Sequence, residues 1–282
     1  MILFKPSAGS GRFSLSEVLQ FCFFWLLTST APYASAASSD YSAIPSQGTT
    51  SSPPLVLFAL SFDHELFKKA YSDHTDIDGD GVMDITYTDT IDYYGYFESD
   101  WCYTYTSSRF QPSVRATGTN GHSCTTSGAP WSGNFLNWGT MSRIDLIRKV
   151  LYGGMRITDS TTLTTLERAE IPFDFHAFSK IYTGSDVEDF TPYSSSSITL
   201  CNLNQSQSGA PLMRAKGTND PNWAGLSRVR CQGASDADYI VRVVVCHSGS
   251  TDSSCQTYGS SSKPVGLIQT YHGGFWADYR QL

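Results

Sequence analysis

The sequence predicts a mixed α/β or α+β domain, loop-rich and stabilised by disulfides. Three observations lead there. Strand-like runs stand early and late in the chain, with helical periodicity between them. Aromatic residues reach 13% while charged residues make up only 16%, against roughly 25% in an ordinary soluble domain. An even set of cysteines follows an N-terminal leader. Few charges, many aromatics and 23 glycines exclude a coiled coil, a helical bundle and a disordered acidic tail. The 282 residues carry 19 basic and 26 acidic side chains, a formal charge of −7 with no basic patch, so nucleic acid is not an expected partner.

Residues 1–36 read as a signal peptide. Lys5 and Arg12 form a basic start, Val18 to Leu27 a short apolar run, and Ala34-Ser35-Ala36 a small-x-small cleavage pattern. The run is about half the ~20 residues needed to span a bilayer, and no later stretch suits a span in the mature chain. Residues 37–54 are a Ser/Thr/Pro-rich tether, and 55–282 are the folded module.

Within that module, Leu55–Phe62 is almost continuously apolar and suits a strand buried on both faces. Ala70 to Ser108 contains no Lys or Arg, and its run Tyr93-Tyr94-Gly95-Tyr96-Phe97 reads as part of a strand pair. The clearest helix lies between Asn134 and Tyr152. Trp138, Met141, Ile144, Ile147 and Leu151 form one stripe, Arg148 and Lys149 sit in the last turn, and Gly153-Gly154 stop it. A shorter helix is expected from Thr164, with Glu167 at capping-box spacing and Pro172 at its end. Residues 183–235 read as a loop-rich insertion. Asp238–Cys246 is the strongest strand, with Tyr239, Val241, Val243 and Val245 on one face and Gly266–Tyr271 as a candidate neighbour.

Setting aside Cys22 in the leader leaves Cys102, Cys124, Cys201, Cys231, Cys246 and Cys255. In an exported chain these read as three disulfides, and sequence alone does not choose among the pairings. The simplest joins neighbours, each bridge contributing about 3 kcal/mol in the chain-entropy model. A zinc site at Cys246, His247 and Cys255 is the weaker rival, because an adjacent Cys and His reach one tetrahedral ion with difficulty.

The motif with chemistry is Asp76-Ile77-Asp78-Gly79-Asp80-Gly81-Val82-Met83-Asp84. It has the spacing of the front of an EF-hand-type calcium loop. Alternating Asp places carboxylates on one side of a tight loop, and Gly81 permits the turn. The Val82 carbonyl falls at the backbone-ligand position and Asp84 at the ninth position. Asp76, Asp78, Asp80, Val82 and Asp84 are therefore the candidate calcium ligands. Tyr87 stands where a bidentate Glu closes the motif, so Asp73, Asp89 or another group would have to supply the missing ligand.

No nucleophile elbow, zinc-protease motif or phosphate loop is present, and the histidines are scattered, so the chain is not expected to be an enzyme. Glu167, Glu170, Asp186 and Glu188 are carboxylates of the type that glycoside chemistry pairs. They support the alternative of a secreted carbohydrate-binding or carbohydrate-active protein. A cohesin-type docking module is disfavoured because the acidic loop occurs once.

Several segments together resemble one family. Residues 64–105 (HELFKKAYSDHTDIDGDGVMDITYTDTIDYYGYFESDWCYTY), 131–156 (WSGNFLNWGTMSRIDLIRKVLYGGMR), 166–172, 238–246 and 263–271 are similar, in order, to the N-terminal region of the PilC/PilY family. These are the type IV pilus tip-associated adhesins and biogenesis factors of Gram-negative bacteria. The resemblance implies an exported protein of the periplasm, outer-membrane surface or pilus tip. It would act in pilus assembly and adhesion, with pilins or minor pilins and a host or abiotic surface as partners. Family members carry a C-terminal β-propeller with its own calcium loop, and the chain reaches Leu282 without one, as a truncated product would. Some carry a von Willebrand A domain. Ser61-Phe62-Asp63-His64 replaces its metal motif here, which leaves at most a degenerate von Willebrand A-like core with insertions. In this reading Tyr93, Tyr94, Tyr96, Trp101, Tyr103 and Tyr105 either offer contact area to partners or pack across strands, packing being the stronger expectation.

Overall fold

Antiparallel pairing dominates the architecture. β1 (Trp101–Thr106) and β2 (Arg109–Arg115) form a hairpin whose two turn residues, Ser107 and Ser108, both take positive φ, at 51° and 57°. A turn of this hand matches the twist of the flanking strands, which offsets the strain at two non-glycine residues. The hairpin register shifts between Cys102 and Tyr103, where the partner across is Pro112, and such a bulge tolerates a residue without an N–H. The computed structural model describes residues 63–125, 128–171, 176–204, 209–224, 231 and 233–270. The expected leader (1–36), tether (37–54) and strand Leu55–Phe62 lie outside them.

The first sheet runs β3 (Trp131–Ser132), β1, β2, β10 (Arg242–Val245), β5 (Thr164–Glu167) and β4 (Arg156–Asp159). Its pairings are antiparallel except the short parallel contact of β10 with β2. The second is an antiparallel meander of β6 (Phe178–Thr183), β7 (Ser197–Asn204), β8 (Pro211–Lys216) and β9 (Ala237–Ile240). β11 (Cys255–Tyr258) and β12 (Ser261–Pro264) form a separate hairpin. Val241 joins the two larger sheets. Its N–H donates to Pro211 O at 2.9 Å and its carbonyl accepts from Arg168 N at 3.0 Å.

Helix α1 (Gly133–Thr140) is buried at every residue, and α2 (Arg143–Tyr152) follows at once. The helices α3 (Val187–Phe190) and α4 (Leu267–Thr270) are single turns. One aromatic core joins the two larger sheets to α1 and α3, with Tyr87, Tyr93, Phe97, Phe110, Trp131, Phe135 and Trp138 meeting Leu200, Met213 and Val243. Phe135 and Phe190 stack 6.1 Å apart, and Tyr87 meets Phe135, Trp138, Tyr182 and Phe190 at steep angles. Such edge-to-face contacts add to area burial.

The expected mixed α/β or α+β class with a von Willebrand A-like core is corrected by this architecture. The domain is mostly β, its strands are antiparallel but for one contact, and its longest described helix has ten residues. Five local expectations change with it. The helix expected across 134–152 breaks at Met141-Ser142, because Asp145 turns back to cap: its Oδ2 accepts from Ser142 N at 3.0 Å and Ser142 Oγ at 2.5 Å. The capping-box pair Thr164 and Glu167 lies in β5, between β4 and β10, so sheet pairing overrides the local signal. The span 183–235 holds β7 and β8 between its loops. Asp238–Cys246 is divided at Val241 between two sheets, although Val241, Val243 and Val245 do share a buried face. Leu267–Thr270 is helical rather than a neighbouring strand.

The aromatic run 93–97 belongs to no strand. It is held by two buried amides of α1. Asn134 Oδ1 accepts from Tyr93 N at 2.8 Å while its Nδ2 donates to Ile91 O at 2.8 Å. Asn137 Oδ1 accepts from Phe97 N at 3.0 Å, and its Nδ2 donates to Tyr93 O at 2.7 Å and Phe97 O at 2.8 Å. Gly95 lies so close that a Cβ there would stand 2.1 Å from Asn137 Oδ1.

Asn137→Ala strands three buried backbone groups and is expected to lower unfolding stability by about 3 kcal/mol in denaturant titration. Gly95→Ala should destabilise as well, and the double variant should lose less than the sum, because truncating Asn137 removes the nearest clash.

Candidate metal centre

The acidic loop is closed by its own backbone. Asp84 N donates to Thr75 O at 3.0 Å, and Ile77 N donates to Asp84 Oδ2 at 2.7 Å. Asp76 takes three amides, its Oδ1 from Gly79 N at 2.7 Å and Asp80 N at 3.1 Å, its Oδ2 from Gly81 N at 2.9 Å. Gly79 and Gly81 adopt φ of 79° and 88°, a region that glycine enters without a Cβ penalty.

This folding brings carboxylate oxygens of Asp76, Asp78 and Asp84 within 4.8 Å of one another. A calcium ion with ligands at 2.3–2.6 Å needs oxygens no more than about 5 Å apart, so the three fit one ion. Asp80 stands outside the trio and its Oδ1 accepts from Val82 N at 2.7 Å. Val82 is at the seventh position with its side chain 66% exposed, beside exposed Met83 and Ile85. A bound ion would neutralise and cross-link these carboxylates in a loop already shaped by its amides.

Neither Asp73 nor Asp89 belongs to the carboxylate trio. Tyr87 is buried in the aromatic core. Asp89 is engaged by Asn120 Nδ2 at 2.7 Å and by His122 Nδ1 at 3.2 Å. Asp73 is shared by Lys69 and Lys180, both at 2.5 Å. Lys180 is fully buried on β6, lies 4.5 Å from the Trp138 ring centre, and also donates to Tyr71 O at 2.5 Å. Burial lowers its ammonium to about 8, opposed by the Asp73 carboxylate. This anchor for the chain entering the loop has no motif; the one sequence signal is a lysine at an inward position of the alternating strand Phe178–Thr183.

The three disulfides are Cys102–Cys124, Cys201–Cys231 and Cys246–Cys255, with Cα separations of 5.6, 6.0 and 5.4 Å. Of the aromatics considered for partner contact, Tyr93, Tyr96 and Tyr103 are 1% exposed and Trp101 9%, so they are core; Tyr94 and Tyr105 are half-buried. Glu167 is paired with Arg242 at 2.5 Å, and Glu170 is exposed.

The family model described as "PilY1 homolog, small alpha/beta domain" matches residues 84–227. The chain belongs to the PilY1 homolog family. The match runs from the last carboxylate of the acidic loop through the two central helices and β8, and it agrees with the resemblance read from the sequence. Two proteins of Xylella fastidiosa (strain Temecula1 / ATCC 700964), each named type IV pilus biogenesis factor PilY1 homolog, are similar to this chain. One is 35% identical over 249 residues, covering 76% of this chain and 17% of the relative. The other is 42% identical over 90 residues, covering 30% of this chain and 7% of the relative. The chain thus spans less than a fifth of the length of these PilY1 relatives. No solved structure matches it.

Removing Asp73 leaves Lys180 buried without its carboxylate, so Asp73→Ala is expected to lower stability by about 3 kcal/mol in urea unfolding. Asp78→Ala, in calcium-free buffer, should change it by less than about 1 kcal/mol, since that loop position is exposed.

Proposed function

We propose that this chain is a non-enzymatic module of a type IV pilus biogenesis protein of the tip-adhesin kind, acting in pilus assembly and surface adhesion. The observation that carries this reading is the 35% identity, over 76% of the chain, to a protein named as a type IV pilus biogenesis factor. Export to the periplasm, outer-membrane surface or pilus tip is supported by the leader pattern and by three disulfides, which persist in oxidising compartments. Among the described residues no helix is long and apolar enough to cross a membrane. The partners proposed are pilins or minor pilins and a host or abiotic surface. Calcium held by Asp76, Asp78 and Asp84 would stiffen the loop that sits on the aromatic core.

The pilus reading is tested in a Gram-negative strain lacking its own PilY1-family protein. The full-length protein should restore surface pili, and the same protein without this region should not, at equal protein level; equal restoration rejects the reading. The calcium part is tested separately by calorimetric titration of the oxidised chain. One ion should bind and raise the melting temperature, and Asp78→Ala and Asp84→Ala should abolish both effects. A folded chain that binds no ion removes calcium from the proposal.

A further inference from the structure

The three disulfides differ in access. Cys102, Cys124, Cys201 and Cys231 are at most 2% exposed, whereas Cys246 and Cys255 are both partly open to solvent. Their bridge also closes the shortest loop, with a sequence separation of 9 against 22 and 30, so it constrains the unfolded chain least. Cys246 has a φ of 52°, a left-handed conformation that a non-glycine residue holds at some strain. Cys231 shares that conformation at 62° but is buried.

The loop that this partly open bridge closes is a cover. Thr251 N donates to Glu98 Oε2 at 3.0 Å, and His247 Nε2 lies 3.1 Å from Glu98 Oε1. Arg115 donates to Gly249 O at 3.2 Å, and Asp252 pairs with buried Lys149 at 3.0 Å. The His247 ring meets Trp101 edge-on at 4.3 Å, and Gly249 packs against the same indole. Thr251, Asp252 and Ser253 form one wall of a cleft of about 540 Å³ whose other walls include Tyr94, Glu98 and Asp100. Each contact that holds the loop down is polar or a single ring contact, and the covalent bridge holds its two ends together.

We propose that Cys246–Cys255 is a redox latch. A dithiol reductant opens it while the two buried bridges stay closed, and residues 247–253 then lift from Glu98, Lys149 and Trp101 and widen the cleft. In the exchange, one thiolate of the reductant attacks a sulfur of the bridge and forms a mixed disulfide as the other cysteine leaves as thiolate. The second thiol of the reductant resolves the mixed disulfide. Two electrons pass to the protein, Cys246 and Cys255 finish as thiols, and the reductant finishes as its own disulfide. Access of the reductant to sulfur decides which bridge reacts.

The test is stepwise reduction of the whole oxidised chain with dithiothreitol in native buffer, alkylation, and peptide mass mapping. Cys246 and Cys255 should be alkylated at a reductant concentration at least tenfold below that which opens either other bridge. Tryptophan emission should shift to the red in the same step, and that shift should vanish in Trp101→Phe. The double variant Cys246→Ser with Cys255→Ser should fold, and should show the shifted emission and faster proteolysis within 247–253 without reductant. Three results overturn the proposal: another bridge opening first or together with this one, an opened bridge with unchanged Trp101 emission, or a double variant that does not fold.

Discussion

Two amide side chains carry the constraint on which the rest depends. The segment 91–97 is neither helix nor strand, yet it crosses the centre of the core, where unpaired backbone groups are costly. Asn134 and Asn137, one turn apart on α1, supply the missing partners, with four of their bonds made to backbone at 2.8 Å or less. The consequences spread outward. α1 has to be buried at all its residues, so both larger sheets pack around it, and Asn202 on β7 donates to Gly139 O at 2.8 Å to fix the second sheet on the helix. The tyrosines of the segment can then fill the core as rings, because their backbone is already satisfied.

The same economy governs charge. Few charged side chains are present, and several of the cations are buried. Lys149 reaches Gly95 O at 2.5 Å and Asp252 at 3.0 Å, and lies 4.7 Å from the Tyr94 ring centre. Arg168 bonds Asn202 Oδ1 at 2.5 Å and Leu203 O at 2.8 Å, and burial lowers it to about 10, opposed by Asp145 and Glu167. Burial likewise pushes the Asp145 carboxyl up, opposed by its bonds from Ser142 and Ala169 and by the Arg168 charge. Each buried charge thus ties two chain segments far apart in sequence, and losing one partner would strand the other in low dielectric. Asp145, Lys149, Arg168 and Lys180, the buried charges among the described residues, thereby tie elements together.

Legibility from sequence follows the range of the interaction. The αL stop at Gly153 is written locally and shows up where the glycines stand. So is the shared face of Val241, Val243 and Val245. The break of the 134–152 helix was also local, in Ser142 with Asp145 three residues on, but the apolar stripe running through Met141 masked it. Thr164 with Glu167 is the same signal in reverse. The spacing of a cap is there, but β10 pairs residue by residue across it, and long-range pairing outweighs a cap. The course of 93–97 could not be read at all, because its hydrogen-bond partners are side chains some forty residues away. At the acidic loop, spacing names Asp76, Asp78, Asp80 and Asp84 alike, and only the folded loop separates Asp80 from the other three carboxylates. The grip of Lys180 on Asp73, from 107 residues away, does not follow from spacing at all.

That grip gives the acidic loop its mechanical meaning. Asp73 and Thr75 lie on the strand of chain that enters the loop, and Asp84 leaves it through a bridge back to Thr75. Three residues later Tyr87 is in the middle of the core, touching Phe135, Trp138, Tyr182 and Phe190. Its hydroxyl accepts from Asn134 Nδ2 at 3.1 Å. The loop is therefore clamped on one side by the pair of buried Lys180 with half-buried Asp73 and on the other by the amide that organises the aromatic segment. An exposed turn on a flexible tether would report nothing to the fold when its charge changed. Here the chain before the turn is tied to Lys180 on β6 and the chain after it to Tyr87 beside α1. Neutralising its carboxylates would relieve repulsion within a loop whose two ends are tied down in this way.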